Sequence, residues 1–126
     1  MHVCINREAV LEYFIKLFKA LSDPTRLRAL YLLITAKTEL CICELMDALK
    51  IPQYNISKHM KELKHAGLVK ERKEGRFVFY SLVPCCGEFS DRIFDAVKAV
   101  DHKQLDEDLK RFKKRLPRKT CKSCSK

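Results

Sequence analysis

Pro24, Pro52 and Pro84 fall between patterned stretches and Pro117 follows the last of them, a placement that divides the chain into short elements before any other feature is read. Pro24 follows Ser22-Asp23, where a carboxylate can accept hydrogen bonds from the unpaired amides of a new helix and proline suits the first helical position. Upstream, residues 8–21 carry Val10, Phe14, Leu17, Phe18 and Leu21 at steps of three and four, which predicts an amphipathic helix. Downstream, Leu27, Leu30, Leu33 and Ile34 mark one side of a second helix that ends near Ala36-Lys37. Residues 38–50 predict a third, short helix burying Leu45, Ala48 and Leu49. Pro52 separates it from a fourth over residues 53–66, with Ile56, Met60 and Leu63 inward and Gly67 placed to close it in the left-handed conformation.

The period then changes. Residues 68–82 hold two β-prone runs around Lys73-Glu74-Gly75, which predicts a hairpin with Gly75 in the turn and Pro84 after it. Phe89, Ile93, Phe94, Val97 and Val100 predict a fifth helix. Asp101 and Gln104 resemble a capping box opening a sixth helix with Leu105, Leu109, Phe112 and Leu116. The expected fold is mainly α with a small β-hairpin. At 126 residues it is one domain over residues 1–116, followed by a flexible basic Cys-containing tail at 117–126.

Two short helices followed by a basic hairpin make a winged helix-turn-helix pattern. In that arrangement the fourth helix offers Gln53, Tyr54, Asn55, Ser57, Lys58 and Lys61 to the major groove of double-stranded DNA, and Arg72, Lys73 and Arg76 of the hairpin lie against the backbone. The charge agrees: 26 Lys and Arg against 16 Asp and Glu give +10, which favours a polyanionic partner. No apolar run is long enough for a membrane span, and the charged N-terminus is unlike a signal peptide, so the expected location is the cytoplasm with no membrane partner. No nucleophile–base constellation is legible, so the expectation is a non-enzyme with no organic cofactor.

The stretches LSDPTRLRAL (21–30), ELCICEL (39–45), NISKHMKELKHAGLV (55–69) and KEGRFVFYSL (73–82) together resemble the ArsR/SmtB family of metal- and metalloid-responsive winged-helix repressors. Ser57 and His59 match that family's Ser-x-His pattern, which implies a DNA-facing role for both. The resemblance implies a homodimer formed through the first and last helices, an operator of two-fold symmetry, and release from it when an effector binds.

Seven cysteines in a reducing compartment point to metal or reactive-thiol chemistry rather than a disulfide framework. Thiolates suit soft ions, and Cys41-Ile42-Cys43 lies where a helix N-terminus lowers thiol pKa. Residues two apart on a helix do not face each other, so both sulfurs reach one ion only where the first turn is irregular or unwinds. The family's arsenic and cadmium sensors use this Cys-x-Cys position. Met46 stands where arsenic sensors of this pattern often carry a third Cys, so the resemblance implies a third sulfur from elsewhere: Cys4 on the N-terminal arm, or Cys85 and Cys86 before the fifth helix. Cys121 and Cys124 add a Cys-x-x-Cys pair on the tail.

The leading expectation is thus a repressor released by As(III), with Cd(II), Pb(II) and Zn(II) as alternative effectors and thiol redox or persulfide sensing as an alternative mechanism. A thiol oxidoreductase built on the tail pair, and an architectural DNA binder without an effector, are the readings from other classes. The paired Asp and His ligands of the family's zinc sensors are missing around Asp101 and His102, which disfavours a nitrogen–oxygen site.

Overall fold

Within residues 7–83 and 88–115, with side chains from residue 11, the computed structural model places six helices and three short strands. They run α1 (Arg7–Ala20), α2 (Pro24–Ala36), β1 (Leu40–Cys41), α3 (Ile42–Leu49), α4 (Gln53–His65), β2 (Val69–Glu74), β3 (Phe77–Leu82), α5 (Glu88–Lys98) and α6 (Lys103–Lys114). The caps explain most of the boundaries. Asp23 Oδ2 accepts from the backbone N of Thr25 and Arg26 at 2.9 and 3.1 Å, and Pro24 opens α2 as expected. Gly67, at φ +83, closes α4, and Gly75, at φ +62, turns the hairpin; a side chain at either φ is strained.

α2 is the central helix. Leu30, Leu32 and Leu33 are buried on all its sides, so the one-sided stripe expected there is corrected to an all-round core helix. Leu17, Leu45, Leu49, Ile56, Met60 and Leu63 complete the same core, as their spacing requires.

Three expectations are corrected. Residues 38–50 do not begin in a helix: Leu40 and Cys41 form β1 and pair antiparallel with Tyr80 and Phe79 of β3. The hairpin is therefore a three-stranded sheet in the order β1-β3-β2. His102, not Asp101, caps α6, its Nδ1 accepting from the Gln104 backbone N at 3.0 Å. Phe18, placed on the inward stripe of α1 by spacing alone, is 53% exposed and shares an outward face with Leu11 (61%) and Ile15 (47%). Phe14 and Phe18 both meet Phe89 of α5, with ring centroids 4.5 and 5.8 Å apart. No helix among the described residues is long and apolar enough to cross a membrane.

Candidate nucleic-acid interface and thiol site

α3 and α4 meet across Lys50-Ile51-Pro52, the three-residue turn of the helix-turn-helix. Burial of Ile56, Met60 and Leu63 turns the opposite face of α4 to solvent. Gln53, Tyr54, Asn55, Lys58 and Lys61 are exposed there and Ser57 is half-exposed. α4 and the sheet enclose a cleft of about 340 Å³ lined by Gln53, Ser57, Lys61, Lys64, Lys73 and Tyr80. Its rim is cationic, which suits a phosphate backbone running past base-reading side chains.

Tyr80 forms the buried wall of that cleft. Burial, reinforced by the carboxylate of Glu71 directly across the strand pair, pushes its phenol up to about 12, against a hydrogen bond with Ser57. Lys73 and Arg76 are exposed on the wing.

Two of the expected DNA contacts are engaged elsewhere. His59 lies inward of the polar face: its Nδ1 is 3.3 Å from Arg26 Nη1 and 3.6 Å from the capping carboxylate of Asp23. Arg72 sits over the Phe79 ring at 4.5 Å and donates to Glu39 at 2.6 and 3.2 Å, with Glu74 as a further partner. Hydrogen bonding to Arg72 holds Glu39 below the usual carboxylate range, and the two carboxylates raise the guanidinium.

Cys41 and Cys43 flank the first residue of α3. Cys41 is the N-cap, with extended backbone (φ −73, ψ 150), and its amide donates to Glu44 Oε1 at 2.8 Å. The change from strand to helix swings the two side chains together, and their sulfurs lie 3.3 Å apart, both buried, with α3 intact. Of the two expected alternatives, an irregular start and an unwound turn, the structure has the first: Cys41 precedes the helix with extended backbone, so the helical restriction on residues two apart does not apply. Cys43 is disulfide-bonded. Arg115, just past α6, places Nη2 3.7 Å from the Cys43 sulfur. Cys4, Cys85, Cys86, Cys121 and Cys124 lie outside the described residues, and among those described no cluster of three metal-ligating groups occurs.

A second cluster escaped the sequence reading. Asp108 of α6 is wholly buried and accepts from Arg28 Nε at 2.8 Å, Arg28 Nη2 at 2.9 Å, Arg111 Nη2 at 2.8 Å and Gln104 Nε2 at 3.0 Å. Its signal was present: Leu105, Asp108, Leu109 and Phe112 share one helical face, so a carboxylate stands on an apolar stripe.

A helix-turn-helix whose second helix turns a polar face to solvent, a basic wing and a helical core define the winged helix-turn-helix fold. A sequence profile described as bacterial regulatory protein, arsR family, matches residues 23–71. The arsenical resistance operon repressor of Escherichia coli is 36% identical over 112 residues, covering 89% of this chain and 92% of that protein. The arsenic resistance transcriptional regulator ArsR1 of Pseudomonas putida is 38% identical over 95 residues, 75% of this chain and 73% of that protein. Among solved structures, HlyU from Vibrio cholerae aligns with TM-score 0.62 at 30% identity over 72% of this chain and 94% of its own. A homodimeric winged helix-turn-helix domain from Mycobacterium bovis aligns with TM-score 0.61 at 30% identity over 78% of this chain and 87% of its own. The chain belongs to the ArsR family of DNA-binding transcriptional regulators.

Proposed function

We propose that this regulator represses transcription from an operator and leaves it when As(III) binds cysteine thiolates, Cys41 and Cys43 among them. The observation that carries the reading is the 3.3 Å separation of the two sulfurs. At that separation both sulfurs lie within reach of one soft ion once Cys43 is reduced. Once a cellular thiol has reduced the disulfide at Cys43, arsenite exchanges its three hydroxyls for three cysteine thiols, whose protons leave with the hydroxyls as three waters. Cys4, Cys85 or Cys86 supplies the third sulfur, with Cys121 and Cys124 as further candidates. The relatives named for arsenic resistance support this choice. A cadmium resistance regulatory protein homolog from Staphylococcus aureus, 43% identical over 67 residues, keeps Cd(II) as the next effector to test, ahead of Pb(II) and Zn(II).

The coupling to DNA is short. Cys41 pairs with Phe79 in the wing sheet, and Ile42, between the two cysteines, lines the cleft beside α4. A ligand that moves these residues moves both DNA-contacting elements. The protein acts as a homodimer, with the outward Leu11, Ile15 and Phe18 as the face that a second copy covers. Phe18→Glu is expected to yield monomers by sedimentation.

One observation favours a second reading. The disulfide at Cys43 fits a regulator that responds to oxidation at Cys43. One experiment separates the two. Operator affinity is measured by fluorescence anisotropy at fixed salt on fully reduced protein, with and without arsenite, then with a mild oxidant. Release by arsenite in wild type and its loss in Cys41→Ser/Cys43→Ser support the arsenic reading. Release by oxidant alone replaces it with the redox reading, and release by Cd(II) but not arsenite changes the ion.

A further inference from the structure

We infer that Asp108, Arg28 and Arg111 form a positioning clasp through which α6 fixes the attitude of the DNA-reading helix. The inference rests on α4 being that helix. Arg28 and Arg111 each donate both to Asp108 and to a backbone carbonyl: Arg28 holds the carboxylate with Nε and Nη2 and shares Nη2 with the carbonyl, whereas Arg111 uses Nη2 for the one and Nε for the other. Arg28 Nη2 donates to Leu49 O at 2.8 Å, and Arg111 Nε donates to Ala48 O at 2.7 Å. Ala48 and Leu49 are the last residues of α3, where carbonyls lack partners within the helix and cations are favoured. Only Lys50, Ile51 and Pro52 lie between them and the start of α4. Lys50 is itself fixed in the left-handed conformation, φ 58, with its amide on Met46 O at 2.8 Å. A carbonyl held at Leu49 therefore fixes where Gln53 begins to read.

The chemistry fits positioning better than adhesion. An apolar group of matching shape often stabilises a buried site as well as an ion pair does, whereas a guanidinium fork imposes direction on both partners. Neither Asp108 nor Arg111 lies on the polar face of α4 or on the wing, so neither reads DNA itself.

The test uses the full-length protein and a duplex selected from a random pool on wild type. Arg111→Met leaves Asp108 paired with Arg28. Arg111→Lys keeps the charge without the fork and serves if the first variant fails to fold. Both are assayed at a temperature where circular dichroism shows them folded. The expected result is about tenfold weaker operator binding, an unchanged salt slope because no phosphate contact is lost, and faster amide exchange at Lys50, Ile51 and Gln53. A lowered melting temperature with unchanged affinity overturns the inference in favour of a plain structural brace. A salt slope reduced by about 0.9 overturns it in favour of direct phosphate contact. Unchanged exchange in the turn overturns it whatever the DNA result. A wild type that selects no duplex overturns the reading of α4 instead, and the clasp's DNA role falls with it.

Discussion

The guanidinium of Arg115 lies 3.7 Å from the Cys43 sulfur, with Asp47 3.0 Å and Glu44 3.8 Å away on the same helix. A fixed cation beside a thiol favours the thiolate. Arg115→Met is therefore expected to slow alkylation of the reduced cysteine pair near neutral pH and to weaken arsenite binding several-fold. Its stability cost is about 1 kcal/mol, since Asp47 is half-exposed. Alkylation rates followed by mass spectrometry between pH 6 and pH 9 check it, and a rate profile identical to wild type contradicts it.

Asp108→Ala leaves Arg28 and Arg111 facing each other beside a buried void. The hydrogen bond that raises Arg28 above its ordinary value is then lost, but a guanidinium stays charged in proteins without it, so the cation is left uncompensated. The expected loss is about 3 kcal/mol, at the lower end for a broken buried pair because both arginines keep some solvent contact. Urea unfolding measures it, and a loss under about 1 kcal/mol would mean that water replaces the carboxylate at little cost.

Tyr80 sets an alkaline limit on the fold. Its phenol ionises near 10 in an unfolded chain and at about 12 here. The folded state holds the proton more tightly, so this contribution is complete below pH 10 and disappears as pH rises from 10 to 12. It amounts to about 1–2 kcal/mol after allowance for solvent screening. Unfolding of wild type and Tyr80→Phe should converge over that window, because phenylalanine has no proton to lose. A gap between them that stays constant from pH 8 to pH 11.5 refutes the assignment.

Lys61 and Gln53 should fail in different ways. Lys61→Ala is expected to weaken binding to all duplexes about equally and to lower the salt slope by about 0.9. Gln53→Ala should leave the slope intact and relax discrimination at one base pair by about 1–3 kcal/mol. Anisotropy titrations against a panel of single-base variants, repeated at three salt concentrations, separate the two.

Periodicity disclosed the helices where burial follows a one-sided stripe, as at Ile56, Met60 and Leu63, and understated α2, whose second half is buried all round. It failed at Cys41 because a two-residue strand has no period to read, and its only mark is the partner it finds at Phe79. Phe18 misled for a related reason: an apolar residue kept outside the monomer core has the same spacing as one kept inside. The polar, solvent-facing side of α4 was legible as polar residues opposite an apolar stripe. His59 and Arg72 belong to such faces by position, yet Asp23, Arg26, Glu39 and Phe79 hold them, and those contacts join residues far apart in the chain. The sulfurs could be named from sequence, whereas their separation depended on the strand.

Cys41 shares hydrogen-bonded sheet with the wing, so occupancy at the sulfurs and occupancy on DNA are two loads on one backbone. Thermodynamic reciprocity then holds: whatever factor a sulfur ligand takes from DNA affinity, DNA takes from the affinity for that ligand. Under the proposed function, the operator-bound protein would be the poorer chelator of its two forms. The ion concentration that clears a promoter would then exceed the one that saturates the protein in dilute solution, and unbound copies would fill first and buffer the response.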